Sequence, residues 1–249
     1  MFIVEGIRSV GQYFIMLGRT FSKPENWREY WKAFMRDLDL LGFSSVWIVS
    51  VISLFVGAIV TIQTAYNLED PWIPDYYIAL ATRESIILEF SPTMVSLILA
   101  GKIGSNIAST LGSMRVTEQI DALEVMGVNP PCYLILPKIV ALMIFNPILI
   151  TISMFLGLLG GYFAAIWVSD ITPNEFISGL QLGFNPYYVA YALIKTVVFA
   201  FIITTISAYY GYHVKGGSIE VGVNATRAVV SSSVAIIIAN YILTQILLV

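Results

Sequence analysis

Two ionisable residues stand alone inside long apolar runs. Glu89 interrupts a run from about Tyr77 to Gly104, standing alone between Glu84 and Lys102, and Lys195 interrupts one from about Tyr187 to Gly211. At about 1.5 Å per helical residue, the 13 residues from Glu89 to Lys102 place the carboxyl some 20 Å from the charged edge, and Lys195 lies at a comparable depth, 16 residues before Gly211. A lone charge there costs at least ~2.5–3.5 kcal/mol, so each needs a partner, water or a polar ligand. Two readings fit. Glu89 and Lys195 form a buried pair pinning the second run to the fourth, or they line a polar cavity that accepts a charged headgroup. Pro92 follows Glu89 by one turn and frees a backbone carbonyl, which suits a cavity wall but is ordinary in membrane helices. Gln63, near the end of the first run, is a weaker candidate of the same kind.

A second group of charges falls in the loop MRVTEQIDALEVMGVNPP, Met114 to Pro131. From Thr117 to Gly127 the spacing predicts a helix of about three turns. Val116, Ile120, Leu123 and Met126 form its apolar face, with Glu118, Asp121 and Glu124 on another. Thr117 is its N-cap, Gly127 its C-cap, and Pro130-Pro131 stops it. So short a helix is marginal unless its apolar face docks on something. It transmits force from a separate ATPase, packs on its own bundle, or lies among headgroups.

Other chemistries lack their residues. Ala100-Gly101-Lys102-Ile103 only superficially resembles a P-loop, because Ile103 replaces the Mg-binding hydroxyl and Ser96 the first glycine. One cysteine, Cys132, and one histidine, His213, leave no disulfide framework and no Cys/His metal cluster. HExxH and GxSxG are absent, and His213 beside Lys215 reads as an interfacial side chain.

The elements that must position these residues are membrane helices. Of 249 residues 57% are hydrophobic and 12% charged, with a mean hydropathy of +0.81, far from soluble proteins. Segments 40–68, 139–169 and 228–249 carry no charge and exceed the roughly 20 residues needed to cross a bilayer. With the runs holding Glu89 and Lys195 they make five spans in one all-α domain, 1–249. Basic residues cluster in 1–39, 102–138 and 213–227, while the intervening loops carry Arg83 against Glu69, Asp70, Asp75, Glu84, Asp170 and Glu175. The N-terminus is therefore expected in the cytoplasm and the C-terminus outside. No cleaved signal peptide is expected.

Residues 1–42 read as interfacial helices. Ile3, Ile7, Val10, Phe14, Leu17 and Phe21 share one helical face. A second helix is predicted from Ser22, with Ser22 and Glu25 as a capping box and an apolar stripe of Trp27, Trp31, Phe34, Leu38 and Leu41. Gly101 and Gly104 begin two small-residue stripes at four-residue spacing, and Gly157 and Gly161 form a GxxxG; both favour close helix packing.

The run AGKIGSNIASTLGSMRVTEQIDALEVMGVNP, Ala100–Pro130, resembles the MlaE permease family, the membrane subunits of ABC transporters that work with MCE-domain lipid carriers. Glu89-Phe90-Ser91-Pro92, the segments Ile194–Ser207 and Gly211–Ser233, and Phe55-x-Gly57 with Gln63 extend the resemblance over most of the chain beyond residue 50. It implies a homodimer in the bacterial inner membrane, bound to two cytoplasmic ATPase subunits and a periplasmic MCE protein, with phospholipid as cargo moved between inner and outer membranes. This chain would carry no cofactor of its own and would not be an enzyme; ATP and Mg would sit on the partner ATPase, and nucleic acid is no partner. The resemblance makes the Met114–Gly127 segment a coupling helix and places Glu89 and Lys195 at polar positions of a lipid pocket. Where many relatives have arginine before that glutamate, this chain has Leu88. A mostly apolar interior with few charges suits a two-chain lipid better than a sugar or amino acid. The alternatives are a secondary transporter driven by an ion gradient through Glu89, and a membrane-embedded enzyme; neither the paired repeats of the first nor the motifs of the second are found.

Overall fold

The computed structural model describes residues 2–22, 27–68, 72, 74–168 and 171–248, with side chains from residue 8 onward. The expected cap partner Glu25, the side chains of Ile3 and Ile7, and the acids Glu69, Asp70 and Asp170 lie outside them. Five helical runs are long and apolar enough to cross a membrane: Trp27–Asn67, Tyr76–Val116, Pro130–Val168, Pro186–Tyr212 and Ser218–Leu248. No strand occurs among the described residues. The protein is an all-α integral membrane protein, as its composition requires.

Hydropathy located the runs but not their ends. Helix α2 (Trp27–Asp37) does not stop before the first span; a π-helical segment, Leu38–Phe43, carries it into α3 (Ser44–Asn67). The second run contains α4 (Tyr76–Ser85), a π-helical segment Ile86–Met94, α5 (Val95–Leu99), a second π-helical segment Ala100–Gly104, and α6 (Ser105–Val116), well past Gly104. A charged residue marks where a helix can leave hydrocarbon. It does not break the i to i−4 hydrogen bonds, which continue equally well in water.

The chain forms two compact units. The first comprises Met1–Phe43, Leu97–Phe145 and Val198–Ile242. Its close approaches involve α6, α11 (Pro186–Tyr212) and α12 (Ser218–Leu248). A Cβ on Gly211 would lie 2.7 Å from the Ala108 carbonyl oxygen, and one on Gly112 would lie 3.1 Å from both Val214 and Val221. Helix α1 (Phe2–Thr20) packs by its narrow face. Met16 and Thr20 are buried and Tyr13 donates to Thr205 Oγ1 at 2.8 Å, whereas Val10, Phe14 and Phe21 are more than half exposed. The apolar stripe is thus left for lipid rather than spent on the bundle. A buried ion pair, Lys138 Nζ to Asp37 Oδ1 at 2.7 Å, ties the end of α2 to α9 (Leu136–Val168).

The second unit comprises Ser44–Ser96, Asn146–Val197 and Leu243–Val249. Helices α3 and α9 meet backbone to backbone: a Cβ on Gly57 would lie 1.8 Å from the Gly157 carbonyl oxygen, and one on Gly160 2.0 Å from that of Leu54. Ser53 and Ser153 hydrogen-bond across this contact at 2.8 Å. Small residues permit the approach, and the approach allows hydroxyls to satisfy one another away from water. The unit also holds α10 (Pro173–Gln181), which the hydropathy reading placed in a loop. Thr172 and Glu175 cap each other reciprocally at its start. At its end Arg83, only 2% exposed, donates to the carbonyls of Leu180 and Leu182 at 2.7 and 2.9 Å. Arg83 is therefore a buried helix-terminus cap, not a loop cation.

Candidate functional site

In the second unit Lys195 and Glu89 meet. Lys195 Nζ lies 2.9 Å from Glu89 Oε1, 2.9 Å from Tyr191 Oη, 3.2 Å from the Leu88 carbonyl oxygen and 3.5 Å from Thr244 Oγ1. Pro92 lies in the same π-helical segment as Leu88, and having no N–H it removes one backbone donor there. Lys195 takes the Leu88 carbonyl oxygen. Pro92 itself is buried.

The ammonium has three protons, and every direction is filled by oxygen. Lys195 has no exposed surface, whereas 44% of the Glu89 side chain is exposed. Glu89 Oε2 accepts from Thr93 at 3.1 Å, and Tyr191 and Thr244 share a further bond of 2.8 Å. An arriving group meets the carboxylate and cannot touch the ammonium unless the cluster opens. Of the two expected readings, the geometry is that of the pair. The adjoining crevice, lined by Phe90, Met94 and residues of α3 and α9, measures only about 10 Å³, too little for a headgroup. Gln63 is exposed on α3.

Tyr191 and Thr244 were missing from the sequence reading. Tyr191 was legible, since it lies one helical turn before Lys195. Thr244 gave no signal, being an ordinary residue of a distant apolar helix.

The loop of the first unit also differs from its prediction. Helix α6 runs to Val116, Glu118 adopts a left-handed φ of 59°, and α7 (Gln119–Val125) follows with two turns rather than three. Thr117 does not cap it; its hydroxyl bonds back to the Ser113 carbonyl at 2.8 Å. The C-terminus is as expected. Gly127 has φ of 82°, with Gly127 N–H bonded to the Glu124 carbonyl and Val128 N–H to that of Leu123, a Schellman closure. Pro130 then opens α8 (Pro130–Leu134).

The faces of α7 are unequal. Ile120 is fully buried and Leu123 partly so, while Val125 and Met126 are 89% and 67% exposed. Asp121 is paired with Arg115, and Glu124 accepts from the Tyr212 hydroxyl at 3.2 Å. Glu118 is exposed. Two of the three acids thus fasten the helix to its own bundle, leaving Val125, absent from the predicted face, and Met126 as its outward apolar tip.

The small residues divide similarly. A Cβ on Gly104 would lie 2.8 Å from Ser207 Oγ, one on Gly157 3.2 Å from Ile86, and one on Gly161 2.5 Å from Thr61 Oγ1. Nothing lies within 4 Å of the position at Gly101, so within one chain it meets no facing helix. His213 Nδ1 lies 3.0 Å from the Tyr209 carbonyl oxygen, and burial pushes its imidazole below the usual range, aided by Arg115 and Lys215. Among the described residues no group of three His, Cys, Asp or Glu side chains could hold a metal.

The family model for permease MlaE matches residues 34–246. The chain belongs to the MlaE permease family. A probable ABC transporter permease protein of Rickettsia prowazekii is 36% identical over 216 residues, covering 87% of this chain and 83% of the relative. Another from Synechocystis is 32% identical over 236 residues, covering 93% and 88%. The intermembrane phospholipid transport system permease protein MlaE of Haemophilus influenzae is 27% identical over 247 residues, covering 98% and 94%. As an MlaE-family permease the chain is a multi-span membrane subunit of the ABC type. Both the α7 loop and the Glu89 and Lys195 helices fall inside the matched region.

Proposed function

We propose that this chain is the permease of an ABC transporter that moves phospholipid between the inner and outer membranes. It works as a homodimer with cytoplasmic ATPase subunits and a periplasmic MCE-domain protein, its N-terminus cytoplasmic and its C-terminus periplasmic. The observation that carries this reading is α7. It is a short, well-terminated helix held to its own bundle by Ile120, Asp121 and Glu124, with Val125 and Met126 turned outward. A helix fastened in this way passes a push on its tip into α6 and α11, where a flexible loop would absorb it. The name of the Haemophilus relative supports phospholipid as cargo, as does an interior whose polar feature in the second unit is a self-satisfied cluster. Glu89, already engaged by Lys195 and Thr93, is poorly suited to carry ions down a gradient.

The test is reconstitution. Liposomes containing the permease with its ATPase should move fluorescent phospholipid only when ATP is supplied, and movement by the permease alone without ATP would overturn the reading. Val125→Asp and Met126→Asp should release the ATPase from the purified complex without lowering the permease melting temperature. Undiminished co-purification would remove α7 as the docking element.

A further inference from the structure

We infer that a cleft in the first unit, between α1, α8 and the end of α11, binds the phosphate of an anionic phospholipid, with Arg19 as the main contact. The cleft measures about 90 Å³, and Gln12, Ile15, Arg19, Pro131, Tyr212 and His213 line it. Gln12, Ile15 and Arg19 recur at spacings of three and four, so α1 presents them on one face. Arg19 is exposed, and its guanidinium forms no ion pair with a carboxylate among the described residues. The nearby acids are already engaged, Asp121 by Arg115 and Glu124 by the Tyr212 hydroxyl. Lys215 and Arg115 add positive charge around His213.

The size and surroundings of the cleft select the ligand. Its volume holds several water molecules, enough for a phosphate group but not for a lipid's chains. Those chains have a place immediately outside, where Ile15, Phe14 and Val10 are 63%, 62% and 56% exposed along α1. A free anion would use the cleft and leave this apolar stripe unused, whereas a phospholipid uses both. Arginine suits the head because its planar fork binds phosphate oxygens in pairs, and the amide of Gln12 supplies a further donor. A zwitterionic phosphatidylcholine head carries no net charge for Arg19 to neutralise, and its trimethylammonium has no carboxylate to meet in the cleft lining. The lipid in question is one on which α1 rests, so the inference does not depend on what the transporter carries.

Native mass spectrometry of the purified complex, titrated with phosphatidylglycerol or phosphatidylcholine of identical chains, tests this. The wild type should retain phosphatidylglycerol preferentially. Arg19→Ala should weaken that retention about tenfold, the expected effect of losing a hydrogen bond to a charged group. Arg19→Lys, which keeps the charge without the planar fork, should restore part of it. Equal retention of the two lipids by the wild type, or undiminished selectivity in a folded Arg19→Ala variant, would overturn the inference. So would inorganic phosphate raising the melting temperature as much as phosphatidylglycerol does, because the site would then serve a free anion. Gln12→Leu, which keeps the helix and the charge, should weaken phosphatidylglycerol less than Arg19→Ala does; the opposite order would also count against the assignment.

Discussion

The Lys195 cluster is asymmetric, and the asymmetry can be measured. Removing Glu89 leaves a fully buried ammonium with only neutral oxygens around it, whereas removing Lys195 leaves a carboxylate that is already 44% exposed. Breaking a fully buried pair costs about 3–5 kcal/mol, and the partial exposure of Glu89 softens only the second loss. Glu89→Ala should therefore lower the melting temperature in detergent more than Lys195→Met, and the double variant Glu89→Gln, Lys195→Met should recover much of the loss. If the double variant is stable but no longer crosslinks lipid, the cluster has a role in transport beyond holding α11 to the second run. If it is stable and crosslinks normally, the pair is structural only. The sequence carried this site as far as the two charges and Pro92, because a charge deep in an apolar run has few ways to be satisfied. It did not show what the residue before Glu89 does. Leu88 contributes there through its main-chain carbonyl, which side-chain identity does not reveal.

Between elements, the decisive contacts are backbone on backbone. Gly57→Ala or Gly160→Ala would drive a methyl group to within about 2 Å of a carbonyl oxygen of the facing helix, and neither α3 nor α9 can yield without losing its neighbour. Each variant should fail to assemble, seen as aggregation or loss of the melting transition. Gly101→Ala meets open space and should stabilise by about 0.5–1 kcal/mol, the usual gain of alanine over glycine within a helix. The GxxxG pattern made Gly157 and Gly161 legible. At Gly101 it names a face that meets open space within one chain, because spacing states which residues share a face and not what that face meets. Helix α10 escapes hydropathy although Thr172 and Glu175 form a capping box with Pro173 in the first turn. Helix α7 proved shorter than its apolar spacing suggested, because the left-handed turn at Glu118 ends one helix and starts another. A turn of that kind at a non-glycine residue is set by tertiary packing, with Ile120 fully buried beside it, and not by local preference.

At the scale of the whole molecule, the proposed sidedness rests on charge. Eleven of the 13 Lys and Arg residues lie in 1–39, 102–138 and 213–227, and the two exceptions, Arg83 and Lys195, are buried and bonded within the protein. No basic residue is thus left to mark the opposite loops, and the five candidate spans among the described residues would put the two termini on opposite sides, as proposed. The lone native thiol, Cys132, is buried and bonded to the Ser22 carbonyl at 3.1 Å, so Cys132→Ala gives a background for single-cysteine labelling. Trp72 is 91% exposed, Val125 is 89% exposed, and a side chain at Gly217 meets nothing within 4 Å, so Trp72→Cys, Val125→Cys and Gly217→Cys each present an accessible thiol. A membrane-impermeant maleimide added to intact spheroplasts should label the Trp72→Cys variant and spare the other two, and all three should react once the membrane is broken. The reverse pattern would put α7 on the side that holds no nucleotide. An ATPase could not then act on Val125 and Met126, and force would have to enter the molecule elsewhere.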